Sequence, residues 1–473
     1  MLRFDLVATS PTGFLSVAAL VLWFPFTLAL FFLLRPTRAV LWSFFGAVMF
    51  LPEGAWLKLP LLPPLDKGTA PVLAILLAAS LRVPGRVWRL PRERWVALVA
   101  VAMLAGGLAT ALTNRDSVIV GTWRVIQLPG LSIKDGVAIA LDQVFGAAVP
   151  FFVGAAFMRE PEDIEDLFAF LAGAGLLYSL FAVVELRLSP RLHAWLYGYQ
   201  QHDDFNQAIR FGGYRPMVFM AHGLAVGLFF AVTTLAATAV RTVRRRVWRL
   251  ATGRVSVYLA IIVLACKSLA AIIYAVVAVP LAALASARWQ QRVAAGAAVI
   301  VLAYPALRAG DIFPTAAVLA ASEAVGTIDR RRSMEFRFNN EDRLLDRARK
   351  RAWFGWGKYN RNAVIDGGGH PVSVTDGQWI IAFGVSGVTG FVTEFGLLVL
   401  PILLCGRRLR RMADPHHQRL LATLSLIVAI TAIDLIPNGR FSSYPYFLSG
   451  ALLSLSAAAQ RATADANLVS ATS

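Results

Sequence analysis

Residues 13 to 34 read GFLSVAALVLWFPFTLALFFLL, an apolar run without a single charged side chain. Such a run can cross the hydrocarbon core of a bilayer only as a helix, because lipid offers backbone groups no hydrogen-bond partner. Similar runs recur along the 473-residue chain, of which 57% is hydrophobic and only 16% is charged. The sequence therefore predicts an all-α fold, a polytopic transmembrane helical bundle.

Thirteen apolar segments are predicted spans, so we expect about 12–13 crossings within a single integral membrane domain, residues 1–473. The stretch from Val255 to Ser286 is too long for one crossing. It is interrupted at Cys266-Lys267-Ser268, which favours two short helices, with one kinked helix as the alternative. The predicted spans lie near 13–34, 39–51, 68–82, 95–112, 133–157, 164–187, 216–240, 255–265, 269–286, 292–307, 379–405, 418–436 and 443–458.

The distribution of arginine predicts the orientation of these spans. Short cytoplasmic loops carry an excess of basic residues, and arginines cluster at residues 82–94, 241–254 and 407–411. Membrane topology thus explains most of the net charge of +18, and nucleic-acid binding is not needed to account for it. The loops that must then face outside are 52–67, 113–132, 188–215, 308–378 and 437–442. The basic loop 308–378 is an exception to the rule, which long loops escape.

The outer loop 188–215 ends in the sequence Arg210-Phe-Gly-Gly-Tyr-Arg215, shortly before the chain re-enters the membrane. Guanidinium groups bind phosphate oxygens bidentately and stay charged, and the glycines let backbone approach a ligand closely. Arg210 and Arg215 are therefore candidates for binding a lipid diphosphate at the bilayer boundary. Interfacial snorkelling of each side chain is the alternative interpretation.

The long outer loop 308–378 contains a second candidate region. Asn340 resembles an N-cap followed by two acidic residues, which predicts an amphipathic helix that runs to about Trp353, with Arg337 just before it. Arg337 and Arg343 are further candidates for diphosphate binding. A solvated or headgroup-facing surface explains most of the other cations of this helix.

A glycine-rich turn ending at His370 leads to Asp376 at the next predicted membrane entry. Glycosyl transfer from a lipid diphosphate requires a base that accepts the proton of the attacking hydroxyl. Asp376 is the first candidate for this base and His370 the second, while a helix cap and a polar turn residue are the alternatives. The sequence contains no metal-binding motif, so it predicts neither a metal nor a cofactor.

These motifs resemble those of the O-antigen ligase and O-antigen polymerase superfamily of membrane glycosyltransferases. That family has an arginine, a glycine and an aromatic residue ahead of a helix, which Arg210, Gly213 and Tyr214 resemble. In a longer outer loop it has an arginine some eighteen residues before Gly-Trp-Gly, the relation of Arg337 to Gly355-Trp356-Gly357. The resemblance covers residues 160 to 450 approximately.

The sequence departs from the family at the expected base. The family usually has a His-Asn pair at the start of the next membrane helix, where this chain has Thr375-Asp376-Gly377. The turn at Lys267-Ser268 resembles the family's Ser-Arg-Gly turn, with lysine in a neighbouring role. The base assignment therefore stays open between Asp376 and His370.

The resemblance implies a GT-C-like fold with a long extracytoplasmic loop, and an inverting, metal-independent glycosyltransferase. Its substrates would be undecaprenyl-diphosphate-linked glycan units, of O-antigen or exopolysaccharide, which it polymerises or ligates to a glycan acceptor. The partners would be these substrates and membrane lipid, with no nucleic acid, at the periplasmic face of the bacterial inner membrane. The alternative is a transporter or flippase for an anionic lipid-linked substrate, which the same arginines could bind.

Overall fold

The structure, a computed structural model, describes residues 8–9, 13–58, 63–87, 93–202, 205–210, 212–242, 246–325, 328–374 and 376–472. It is 71% helical. A helix occupies each predicted span, and α11 and α12 are additional helices within the long outer loop. The described helices longer than ten residues are α1 (Phe14–Leu33), α2 (Pro36–Phe50), α3 (Thr69–Arg82), α4 (Arg94–Leu112), α5 (Ile133–Phe157), α6 (Asp163–Leu188), α7 (Gly223–Val240), α8 (Thr252–Ala265), α9 (Leu269–Leu284), α10 (Ala287–Ala309), α11 (Thr315–Val325), α12 (Ile328–Arg349), α13 (Gln378–Leu409), α14 (Pro415–Asp434) and α15 (Tyr444–Thr472). Short helical turns lie at Pro84–Val87, Leu192–Tyr197 and Phe205–Ala208.

Within the described residues, eight of these helices are long and apolar enough to cross a membrane, namely α1, α4, α5, α6, α7, α10, α13 and α14. This agrees with the predicted all-α polytopic bundle. The predicted break between α8 and α9 is confirmed, because Lys267 leaves the helical conformation with a φ of 52°. The span predicted to begin at residue 216 is shorter than expected, since turns precede the first residue of α7, Gly223.

Short antiparallel strands lie in the loops. The strand β2 pairs with both β1 and β3, and the other strands form two-stranded hairpins. The strands are β1 (Ala8–Thr9), β2 (Trp56–Lys58), β3 (Leu65–Asp66), β4 (Val118–Val120), β5 (Ile126–Leu128), β6 (Ile209–Arg210), β7 (Gly213–Tyr214), β8 (Arg246–Val247) and β9 (Leu250–Ala251).

Some of the loops that the arginine distribution places on the same side of the membrane contact one another. The long loop 308–378 meets the loop 113–132, where the Arg361 guanidinium donates to the carbonyls of Asp116 and Pro129 over 2.9 and 2.7 Å. Arg408, beyond the apolar part of α13, forms an ion pair of 2.6 Å with Glu93, which precedes α4. These loops, which are predicted to share a side, therefore do contact one another.

The helix predicted to begin at Asn340 begins earlier. Asn340 and Arg337 both lie inside α12, so Asn340 is not an N-cap and Arg337 does not precede the helix. The Asn340 amide donates to the carbonyl of Phe336 over 2.8 Å and accepts the N–H of Val374 over 3.0 Å. Its hydrogen bonds thus hold the return of the loop rather than a helix end.

The two acidic residues after Asn340 have a tertiary role instead of complementing a helix N-terminus. Arg308 of α10 forms ion pairs with Glu341 at 3.4 Å and with Asp342 at 2.5 Å. Glu341 also accepts hydrogen bonds from Tyr304 at 2.9 Å and from the indole of Trp379 at 3.2 Å. Burial raises the pKa of Glu341. These contacts fix α12 against both α10 and α13.

The amphipathic pattern of α12 is confirmed, and its apolar face packs on the protein itself. Leu344 and Leu345 are buried in the main hydrophobic core together with Trp379. Arg343 and Lys350 are exposed. The helix ends at Arg349, before the predicted end at Trp353.

Candidate functional site

The first part of the candidate site is the hairpin formed by β6 and β7, where Arg210 pairs with Gly213. The turn requires a positive φ of 67° at Gly212, a conformation that glycine adopts without cost. Arg210 is exposed on this hairpin, whereas Arg215, just after it, is only 4% exposed. The hairpin thus presents one arginine to solvent and inserts the other into the protein.

Arg215 lies against the first turn of α7. A Cβ atom at Gly223 would come within 2.6 Å of Cδ of Arg215, so only glycine leaves room for this side chain. The Nε atom of Arg215 is buried and has no hydrogen-bond partner among the described residues. Most buried polar groups in proteins are hydrogen-bonded. A buried guanidinium with an unpaired N–H is therefore unusual for a residue with only a structural role.

The charges near Arg215 are predominantly positive. Burial, together with the neighbouring charges of Arg210 and Arg337, lowers the pKa of Arg215 to about 10. Arg215 nevertheless remains protonated at neutral pH. In the part of the chain that the structure describes, no carboxylate forms an ion pair with Arg210 or Arg215.

Lys267 adds a fourth cation from the break between α8 and α9. Its Nζ atom lies so close to Gly213 of the hairpin that a Cβ on that glycine would collide with it. The side chain is half-buried. We call Arg210, Arg215, Lys267 and Arg337 the cationic cluster.

Arg337 reaches this cluster from α12. Its NH1 donates to the carbonyl of Pro437 over 2.9 Å, and its Nε lies 3.8 Å from Oδ2 of Asp376. The Arg337 and Asp376 side chains are 30% and 39% exposed, so both face open space. The structure therefore brings Arg210, Arg215, Arg337 and Asp376, all candidates from the sequence, to one place.

His222, the N-cap of α7, borders the cluster. Its Nδ1 accepts the N–H of Leu224 over 3.0 Å, so the neutral ring carries its proton on Nε2. Burial, reinforced by the charge of Arg215, lowers the pKa of His222 to about 3. The ring is therefore neutral at physiological pH and adds no charge to the cluster.

The segment Gly355-Trp356-Gly357 anchors the long loop in a kink of α13. The backbone N–H groups of Trp356 and Gly357 donate to the carbonyls of Gly384 and Val385, each over 2.9 Å. The kink lies at Gly387, whose φ is 68°. A Cβ at Gly387 would collide with the backbone of Trp353. In this structure the motif holds the loop that carries Arg337.

Two of the candidate residues lie apart from the cluster. His370 is exposed on a turn whose carbonyl at Gly367 accepts the N–H of Thr122, beside the β4–β5 hairpin. Arg343 follows Arg337 by six residues on α12, which places it about 120° around the helix axis, and it is exposed. The geometry therefore joins Asp376, but neither His370 nor Arg343, to the arginines.

A cavity of about 790 Å³ lies beside the cluster, between the described parts of the outer loop 52–67, the residues just before α15 and one face of α5. A narrow extension, which shares Glu53, Lys67 and Phe441 with the cavity, continues to Asp434. The Phe441 ring stacks on His222 with a centroid distance of 5.7 Å. Phe441 and His222 thus separate the cavity from the cationic cluster.

The sequence did not single out Glu53, Lys67 or His222. The signal was weak, since Glu53 and Lys67 lie in a short outer loop with no recognisable motif. Their partners are remote in the chain: the Glu53 N–H donates to His193 over 3.1 Å, and the Lys67 ammonium donates to the carbonyl of Phe219. Among the described residues, no group of three His, Cys, Asp or Glu side chains is arranged to hold a metal ion.

Comparison with known proteins adds no family assignment. No protein-family model matches the chain, and a search of curated proteins finds no match.

Proposed function

We propose that this protein is a membrane glycosyltransferase that polymerises or ligates undecaprenyl-diphosphate-linked glycan units at the periplasmic face of the bacterial inner membrane. The observation that carries the proposal is the cationic cluster, in which Arg215 is buried without a carboxylate partner among the described residues. A diphosphate would supply the missing negative charge. The motif resemblance supports the undecaprenyl carrier, and the arginine distribution supports the periplasmic side.

The cluster acts on the leaving group in this mechanism. A hydroxyl oxygen of the acceptor attacks the anomeric carbon of the donor sugar as the bond from that carbon to the diphosphate breaks. The electron pair leaves on the diphosphate, whose developing charge Arg210, Arg215 and Arg337 stabilise. Because this is a single displacement, the anomeric configuration inverts.

Asp376 is the base in the proposal. It is loosely paired with Arg337 at 3.8 Å, and a bound diphosphate would compete for the same guanidinium. Binding of the donor thus draws Arg337 away and leaves the Asp376 carboxylate able to accept the proton of the attacking hydroxyl. His370 has no role in this step because it lies on the turn beside the β4–β5 hairpin.

The test uses the purified protein in liposomes with undecaprenyl-diphosphate-linked oligosaccharide from the source cells. Wild type is expected to extend or transfer the glycan and release undecaprenyl diphosphate. Arg337→Ala should lose about 10²–10³ in rate, whereas Lys350→Ala, which removes an exposed cation after the same helix, should retain the wild-type rate.

Two results would contradict the proposal. One is near-normal transfer by a correctly folded Arg337→Ala protein. The other is movement of the lipid-linked glycan across the liposome membrane without any release of undecaprenyl diphosphate, which would establish the transporter alternative.

A further inference from the structure

The lining of the cavity combines aromatic rings with hydrogen-bonding groups. Trp56, Phe145 and Phe441 contribute aromatic side chains, while Glu53 and Ser442 are polar residues of the lining. A volume of about 790 Å³ is typical of small-molecule sites, which are mostly apolar with a few placed polar groups. Sugars present both C–H faces for aromatic rings and hydroxyls for carboxylates, so this lining suits a carbohydrate.

The charges of the cavity are compensated internally. Lys67 lies 3.5 Å from Glu53, and Arg440 forms an ion pair of 3.0 Å with Glu394. The lining also contains Asp66, whose carboxylate accepts the N–H groups of Gly68 and Thr69 over 2.8 Å. Two further lining residues carry opposite charges, namely the exposed Lys58 and Asp142, which lies 2.9 Å from Lys358. A ligand that enters the cavity therefore meets little net charge, which favours an uncharged polar molecule over an anion.

Glu53 retains hydrogen-bonding capacity toward the cavity. Its Oε2 is buried and has no hydrogen-bond partner among the described residues, with the Lys67 ammonium just at the limit of hydrogen-bond distance. A carboxylate accepts several hydrogen bonds. Glu53 can therefore accept a sugar hydroxyl without giving up its ion pair.

The position of the cavity relates it to the proposed chemistry. Its wall reaches Gly146, thirteen residues into α5, which is about 20 Å along the helix from its outer end. Its narrow extension ends at Asp434, whose charge interacts with that of Arg337. A glycan held in the cavity would have one end close to the site of the leaving diphosphate.

We propose that this cavity binds the acceptor glycan through its uncharged sugar residues, with Glu53 accepting a hydroxyl hydrogen bond and the aromatic rings packing on the sugar faces. This inference rests on the proposed glycosyltransferase function. It assigns the acceptor to the cavity and the donor diphosphate to the cationic cluster, on opposite sides of Phe441 and His222.

The test measures binding and transfer separately. The probe is the free oligosaccharide released by mild acid from the lipid-linked glycan of the source cells, titrated calorimetrically into the purified protein without donor. Glu53→Gln and Leu141→Trp, the second of which fills the cavity from an apolar wall residue, should each weaken binding about tenfold or more. This corresponds to about 1.4 kcal/mol.

The controls separate the cavity from the cluster. Glu323→Gln, an exposed acid on α11, and Arg337→Ala should bind the oligosaccharide as wild type does. The inference is overturned if wild type does not bind the probe, or if folded Glu53→Gln and Leu141→Trp proteins bind it normally. Oligosaccharide binding that both variants weaken, in a protein that transfers no glycan, would support the cavity site and contradict the proposed function alone.

Discussion

The cationic cluster and the cavity lie on two sides of Phe441 and His222, and they treat charge in opposite ways. In the cluster, Arg215 is buried without a carboxylate partner among the described residues. In the cavity, Lys67 lies beside Glu53 and Arg440 beside Glu394. An uncompensated buried charge is costly, and this contrast is the basis for proposing an anionic ligand in the cluster and a neutral one in the cavity.

The largest effect is expected from Arg215→Ala. Loss of a preorganised donor to the leaving diphosphate should reduce the transfer rate by about 10²–10³, or roughly 3–4 kcal/mol of transition-state stabilisation. Oligosaccharide binding in the cavity should not change. The rate of release of undecaprenyl diphosphate at saturating acceptor is the measurement.

Arg215→Lys provides the matched control, since it keeps the charge and loses the bidentate geometry. We expect an intermediate rate. Equal transfer rates for the folded alanine variant and wild type would show that Arg215 does not bind the donor diphosphate. The proposed difference between the cluster and the cavity would then be wrong.

Gly387→Ala should have the next largest effect, on the loop that supplies Arg337 to the cluster. A positive φ costs a non-glycine residue about 1–2 kcal/mol, and the added Cβ would also collide with the Trp353 backbone. We expect a loss of at least about 2 kcal/mol in the free energy of unfolding, measured by thermal or denaturant unfolding in detergent.

Gly396→Ala on the same helix is the control for this prediction. Apart from its chain neighbours and the backbone of its own helix, no described atom lies within 4 Å of the added Cβ at this position, so alanine should be neutral or should stabilise the helix by up to about 1 kcal/mol. If both variants are equally stable, the kink of α13 does not anchor the loop.

Gly223→Ala should produce a smaller change confined to the cluster. The new Cβ would approach Cδ of Arg215 to 2.6 Å and force the guanidinium to move. We expect about a tenfold slower transfer, equivalent to about 1.4 kcal/mol, with normal oligosaccharide binding. Gly296→Ala in α10, where no described atom beyond its chain neighbours and its own helix backbone lies within 4 Å of the added Cβ, should transfer glycan at the wild-type rate.

The membrane helices were predictable because each is a continuous apolar run, and a run of that length needs no information from elsewhere in the chain. The first residue of α12, in contrast, could not be predicted from the local sequence. Asn340 and the acids after it form a convincing local capping pattern, but Arg308, more than thirty residues earlier, binds those acids in the fold. Tertiary pairing therefore overrode the local signal.

The two parts of the candidate site differ in the same way. Arg210 and Arg215 stand near the end of one outer loop, and Arg337 stands eighteen residues before Gly355-Trp356-Gly357 within another, so the sequence was sufficient to select them. Glu53 and Lys67 are held by hydrogen bonds to His193 and Phe219, which are 140 and 152 residues away in the chain. Only the folded chain shows that these charges meet around a cavity.

The smallest predicted effect concerns His193, which holds Glu53 at the edge of the cavity. His193 is fully buried; its Nε2 accepts the Glu53 N–H over 3.1 Å and its Nδ1 bonds to the Tyr199 carbonyl over 2.9 Å. Burial lowers the pKa of His193 to about 4. Because the folded state favours the neutral ring, its contribution to stability is present above about pH 6.5 and is lost as the pH falls toward 4.

His193→Gln should therefore reduce the pH dependence of unfolding in this window. The loss attributable to His193 between pH 7 and pH 6 should be about 0.7 kcal/mol, observed as a difference between wild type and variant in unfolding experiments at these two pH values. His370→Gln, which removes an exposed histidine, should leave the wild-type dependence intact. Identical pH profiles for wild type and His193→Gln would show that protonation of this histidine does not destabilise the folded state. His193 would then not be a pH-dependent support of Glu53 at the cavity.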